Sequence, residues 1–103
     1  MGKYVLAYTG GAMGESEADQ QAVMDAWMNW FGALGPAIVD PGNPFGESSA
    51  VAAGGSIISA AAGLTGYSII NAESLAAATD AAKGCPVLSA GGTVEVYETV
   101  DVM

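Results

Sequence analysis

The chain has 103 residues, enough for one domain with its own core and too few for two. Apolar residues make up 51% of it, so a packed interior is expected rather than disorder. Eleven Asp and Glu stand against two Lys, with no Arg and no His, for a formal net charge of −9, which argues against nucleic acid, anionic membranes and polyanionic substrates as partners.

Lys3 to Thr9 reads KYVLAYT, rich in strand formers, and predicts a first strand that Gly10, Gly11 and Gly14 then break. Ser16 with Asp19 three residues on is an acidic capping box, and Glu17 and Asp19 suit the positive end of a helix dipole. Val23, Met24, Trp27, Trp30, Phe31 and Leu34 follow at spacings of three and four, so one face of that helix is apolar. Gly35-Pro36 stops it. Ala37-Ile38-Val39 is a short strand running into Asp40-Pro41-Gly42-Asn43-Pro44-Phe45-Gly46, a loop made rigid by its prolines. Ser48 to Ala53 and Ser56 to Ser59 read as a hairpin about Gly54-Gly55. Thr65 to Ala72 is a mostly buried strand. A second, Ala-rich helix follows, capped by Asn71 or Ser74, with Leu75, Ala78 and Ala82 on one face and Gly84 and Pro86 closing it. Thr93 to Val102 alternates Val94, Val96, Glu98 and Val100 with Glu95, Tyr97, Thr99 and Asp101, a final strand at an edge or with one exposed face.

This order predicts a single α+β domain over 1–103, a ferredoxin-like β-α-β-β-α-β sandwich with an extra hairpin. Two helices cover one face of such a sheet. The other face needs a partner, and a second copy is the simplest, giving a homodimer shaped as a dimeric α+β barrel.

Residue content also limits the chemistry. One cysteine, Cys85, makes no internal disulfide, which suits a reducing compartment. Without His there is no zinc site of the usual nitrogen and sulfur kind and no Ser-His or Cys-His nucleophile. No metal and no cofactor is indicated. No apolar run approaches the ~18–20 residues of a membrane span, and the opening Met1-Gly2-Lys3-Tyr4 is unlike a secretion signal, so the cytoplasm is the expected compartment. The acidity reads either as protection of an apolar domain from aggregation, or as a preference for a small neutral or cationic ligand or a basic partner protein.

Three motifs stand in order: Val39-Asp40-Pro41-Gly42-Asn43-Pro44-Phe45-Gly46, then Leu64-Thr65-Gly66-Tyr67-Ser68-Ile69, then Ala82-Lys83-Gly84-Cys85-Pro86 with Gly91-Gly92-Thr93-Val94-Glu95-Val96. With Lys3-Tyr4-Val5-Leu6 they resemble the YCII-related domain family across nearly the whole chain. The resemblance implies a ferredoxin-like fold, a dimeric α+β barrel, and a cleft between sheet and helices suspected of enzymatic activity. Some members carry a His and an Asp proposed as a catalytic pair. The Asp matches Asp40, and the His has no counterpart in this sequence. The family also occurs beside or fused to sigma-factor-like regulators.

Asp40 is therefore the candidate catalytic residue, as a general base or a ligand-orienting acid. The plainer reading is a carboxylate accepting backbone N–H bonds in the Pro41-Gly42-Asn43 turn, and Asn43 shares both readings. Tyr8, Trp27, Asn43 and Tyr67 are the candidate ligand-binding residues. The commoner fate of such tyrosines and tryptophans is core packing with one satisfied polar atom. Cys85, after a helix C-terminus, is expected to be buried and inert, and Lys83 to complement the helix dipole or hold a ligand carboxylate. Gly10-Gly11 and Gly91-Gly92 permit close backbone approach without forming a phosphate-binding fingerprint.

The leading expectation is a small-molecule-binding dimer, with cofactor-independent enzyme chemistry at Asp40 as its extension. The alternative is a non-catalytic structural or regulatory protein-interaction module. Oxygenase or isomerase chemistry without a cofactor rests on fold analogy alone.

Overall fold

A computed structural model describes residues 1–11 and 15–102, so the predicted break at Gly14 lies outside the described residues. Its elements are β1 (Gly2–Thr9), α1 (Glu17–Leu34), β2 (Ile38–Asp40), β3 (Ala50–Val51), β4 (Ile57–Ile58), β5 (Leu64–Ala72), α2 (Leu75–Ala82) and β6 (Thr93–Glu98). Short 3₁₀ turns at Gly35–Ala37 and Pro86–Ala90 join them and were not foreseen from the sequence. The protein is mixed α+β. Its main sheet has the order β2-β5-β1-β6, with every pair antiparallel, and β3 with β4 forms a separate two-stranded sheet.

Local signals explain the helix starts. The Ser16 hydroxyl accepts from the Asp19 N–H at 3.1 Å, and the Ser74 hydroxyl accepts from the Ala77 N–H at 3.1 Å, each satisfying one of the N–H groups a helix leaves unpaired. Gly35 ends α1 in a backbone conformation with φ 54°, its N–H bonded to the Phe31 carbonyl. No described helix is long and apolar enough to cross a membrane.

Register sorts the core. Leu6 lies across from Ser68 on one side and Val96 on the other, and Tyr4 across from Ile70. Antiparallel partners share a face, so Tyr4, Leu6, Tyr8, Ser68, Ile70, Val94 and Val96 all point one way. That face meets Trp30, Ala78, Ala82, Cys85 and Val87 in one buried cluster, with Trp27, Phe31 and Leu34 packed on it. The Trp30 indole N–H donates to the Ala81 carbonyl at 3.3 Å and ties α1 to α2. Alanine at 78 and 82 lets α2 lie close on β1, β5 and β6. The two glycine pairs meet each other: a Cβ on Gly10 would come within 3.0 Å of the Gly92 Cα.

Two expected elements differ. The hairpin pairs over two residues per strand rather than four to six, because its side chains find no core to alternate against. The last strand stops at Glu98, with the Thr99 N–H and hydroxyl both still donating to the Lys3 carbonyl. Met24 and Leu75, placed on the apolar helix faces by spacing, are about half exposed.

The second face of the main sheet carries Lys3, Val5, Ala7, Tyr67, Ile69, Asn71, Glu95 and Tyr97, and neither helix packs on it. We call it the open face.

Candidate functional site

The segment after β2 positions the leading candidate. Pro41 and Pro44 lack the N–H that a sheet ladder needs, so the regular strand ends at Asp40. The chain nevertheless continues along β5, with a bridge between Pro44 and Gly66 and a bond from the Phe45 N–H to the Thr65 carbonyl at 2.9 Å. Gly42 makes this possible. Its φ is 76°, and a Cβ there would run into the Tyr67 carbonyl.

Asp40 lies across from Ile69, on the open face. Its Oδ1 accepts from the Gly42 N–H at 2.9 Å and its Oδ2 from the Tyr67 hydroxyl at 3.1 Å. The bond to Asp40 is the main reason the Tyr67 phenol is held above its ordinary pKa, and the carboxylate's charge adds to it. The Phe45 ring stacks on Tyr67, with centroids 5.8 Å apart and planes at 20°. Asp40 and Tyr67, two of the five predicted residues, are thus brought together.

Tyr8 and Trp27 form a second pair on the opposite face of the sheet. Their rings meet edge to face at 5.2 Å, and Trp27 continues into Trp30 and Phe31. The Tyr8 hydroxyl donates to Ser68 Oγ at 2.7 Å, and Ser68 Oγ donates to the Pro41 carbonyl at 2.6 Å. Burial pushes the Tyr8 phenol well above its ordinary pKa, and the Cys85 thiol beside it is pushed up to about 11 for the same reason. A thiol so placed is neutral at physiological pH and a poor nucleophile.

The chain does not bring the five candidate residues into one cleft. Tyr8 lies across from Gly66 and Tyr67 across from Ala7, one residue apart along each strand and therefore on opposite faces. The space between sheet and helices is filled by Tyr8, Trp27 and Trp30. Asn43 is exposed, and its backbone carbonyl lies against Gly66. Two shallow depressions lie elsewhere. One of about 150 Å³ is lined by Thr79, Lys83, Leu88 and Val96 among others, and one of about 260 Å³ by Met1, Leu34, Pro36, Ala37 and Asn71. None of the five predicted residues lines either one. Lys83 is the C-cap of α2 and pairs with Asp80 at 3.4 Å, both side chains exposed. Such a pair contributes little.

Ser68 and Phe45 are the residues the sequence reading passed over. Ser68 is fully buried and joins the Tyr8 hydroxyl to the carbonyl of the residue after Asp40. Its signal was a lone hydroxyl in the buried register of an otherwise apolar strand, which needs a partner in the fold. Among the described residues, no group of three or more His, Cys, Asp and Glu could hold a metal ion. A scan against protein-family models gave no match, and a search of curated proteins gave none.

Proposed function

We propose that this chain is a YCII-like, ferredoxin-like domain that stacks its open sheet face on that of a second copy, forming a dimeric α+β barrel, and that the dimer serves as a protein-interaction module rather than an acid–base catalyst. The observation that carries this reading is the filled space between sheet and helices. Asp40 lies on the other face of the sheet, its carboxylate oriented by one bond to each oxygen, from its own turn and from Tyr67. A general base needs a lone pair within reach of a substrate proton, beside a space that admits the substrate. The sheet–helix space where the family resemblance puts a cleft is packed with aromatic side chains.

The dimer part rests on the open face. Half-buried Val5, Tyr67 and Ile69 and exposed Tyr97 form an apolar strip around the buried Ala7, with no helix over it. Its strand positions carry only Lys3, Asp40 and Glu95 as charges, in a chain of net charge −9. A face with so few like charges is where two acidic copies meet at least electrostatic cost.

Sedimentation equilibrium at micromolar concentration tests the reading. Twice the chain mass is expected, and a single species of the chain mass overturns it. A small-molecule-binding dimer is the second reading, favoured by the Asp40–Tyr67–Phe45 group lying at the edge of the face that stacking would enclose. Native mass spectrometry of the purified dimer separates the two: a retained small molecule, lost in Asp40→Asn, selects the second reading.

A further inference from the structure

The charges of the open face occupy distinct places on it. Lys3 stands near the start of β1, across from Asn71. Glu95 stands in β6 across from Ala7, toward the other end of β1. Between them Ile69, Val5 and Tyr97 form one row across β5, β1 and β6, and Asp40 ends that row at the β2 edge. The backbones at Lys3 and Glu95 lie about 14 Å apart by strand rise and spacing, too far for the two side chains to pair within one copy. Among the described residues Lys3 has no ion-pair partner, whereas Lys83, the other lysine, is taken by Asp80.

This pattern is complementary to itself under one two-fold axis and not under the other. A two-fold that brings two sheet faces together lies in the plane between them, and with aligned strands it runs either along the strands or across them. An axis along the strands, midway across the four, lays β1 over the partner's β5 and β6 over the partner's β2. Lys3 then comes beside the partner's Lys3, and Glu95 comes toward the partner's Asp40, like beside like. An axis across the strands, through the Val5 row, reverses the strand direction instead. It lays Lys3 over the partner's Ala7, one strand from the partner's Glu95, and symmetry repeats that contact at the other end of the face.

The second arrangement has one opposing cost. Asp40 lies on its axis at the β2 edge, so the two Asp40 carboxylates meet there. That is one like pair against two opposite pairs, and each Asp40 already takes a bond from the Gly42 N–H and one from the Tyr67 hydroxyl, which offset part of its charge. Facing sheets lie about 10 Å apart, a gap that a lysine and a glutamate reaching from opposite sides can span. Both side chains are exposed and free to do so.

We propose that the second copy stacks on the open face with its strands reversed, about an axis through the Val5 row, and that Lys3 of each copy pairs with the partner's Glu95. This rests on the dimer reading above and fixes its orientation.

The test measures the dimer Kd by sedimentation equilibrium for the unaltered chain, Lys3→Glu, Glu95→Lys and the double exchange. Both residues are exposed, so each variant keeps the far-UV spectrum of the unaltered chain. Each single reversal sets two like pairs across the interface and should raise the Kd about fivefold or more, and the double exchange should bring it back to within about twofold. The direction for Glu95→Lys is decisive. It makes the chain less acidic, so repulsion by net charge alone would tighten the dimer, whereas the proposed pairing weakens it. A carbodiimide, which joins an amine to a carboxylate in contact with it, should link Lys3 of one chain to Glu95 of the other, mapped by mass spectrometry of the doubled band. A dimer whose Kd ignores the single reversals, tightens in Glu95→Lys, or fails to recover in the double exchange overturns this orientation and leaves the stacked dimer standing. A monomeric unaltered chain overturns both.

Discussion

Leu6 and Val5 are neighbours in one strand, and their surroundings could hardly differ more. Leu6 is fully buried between Ser68 and Val96 under the two helices, while Val5 faces away from both, between Ile69 and Tyr97. The same alternation separates Tyr8 from Tyr67. Tyr8 spends its hydroxyl on Ser68 inside the core, and Tyr67 gives its own to Asp40 at the rim of the open face. One face of the sheet is finished within the chain. The other has half-buried apolar side chains, a hydrogen-bonded acid and no helix over it. The difference separates two kinds of test: substitutions on the helix side probe folding, and those on the open side probe the proposed assembly.

Trp30→Ala should show the largest effect on folding. The indole fills the junction of α1 and α2, donates to the Ala81 carbonyl and packs on Trp27 and Phe31. Truncation of a buried Trp costs about 3–5 kcal/mol, a large part of a small domain's total stability. Urea unfolding of the variant checks it. The matching truncation on the open face, Ile69→Ala, should cost the monomer only about 1 kcal/mol, since Ile69 is half-buried, and weaken the proposed dimer as well. Equal losses of monomer stability from the two variants would break the comparison.

Alkaline pH probes the helix side next. The Cys85 thiol is neutral in both folded and unfolded chains below its ordinary value of 9.0, so nothing is lost there. Above that the unfolded chain ionises, while burial keeps the folded thiol protonated up to about 11. The unfolded state then binds fewer protons, and stability falls as pH rises through this window by at most about 3 kcal/mol. Cys85→Ala should flatten that part of the stability curve. Tyr8, raised by the same burial, carries the fall to higher pH.

Much of the fold was legible because its signals are local. Ser16 and Ser74 announce helix starts by the hydroxyl each offers to an N–H three residues on, and Gly35-Pro36 announces the end of α1 by a glycine free to take positive φ and a proline with no N–H to continue the α-helical bonding. The 48–59 hairpin was overextended because Gly54-Gly55 specifies a turn but says nothing about whether the strands beside it have a surface to pack on. The site was half legible. The Asp40–Gly42 bond follows from a Pro-Gly turn after an acid. The Asp40–Tyr67 bond does not, since it depends on the register of residues 38–45 against β5. Grouping Tyr8 with Tyr67 failed on the same ground. Each sits on a strand with alternating side chains, and only the pairing of Tyr8 with Gly66 shows that the two tyrosines face opposite ways.

Tyr8→Phe removes one buried donor and leaves Ser68 bonded to the Pro41 carbonyl, so a loss of about 1 kcal/mol is expected in the same urea assay. The smallest effect on stability, and the sharpest separation of the two faces, comes from Asp40→Asn. The phenol of Tyr67 is raised chiefly by its bond to a carboxylate, whereas that of Tyr8 is raised chiefly by burial. Replacing the carboxylate by an amide keeps the side chain's size and removes the charge. In an NMR titration of the tyrosine Cζ signals, Tyr67 should fall back toward 10.0 in Asp40→Asn while Tyr8 stays where it was. If both move, the hydrogen-bonded chain from Tyr8 through Ser68 to the Pro41 carbonyl couples the faces electrostatically, and the sheet does not insulate them. If neither moves, the Asp40–Tyr67 bond is not what raises the Tyr67 phenol, and the contrast between the two tyrosines fails.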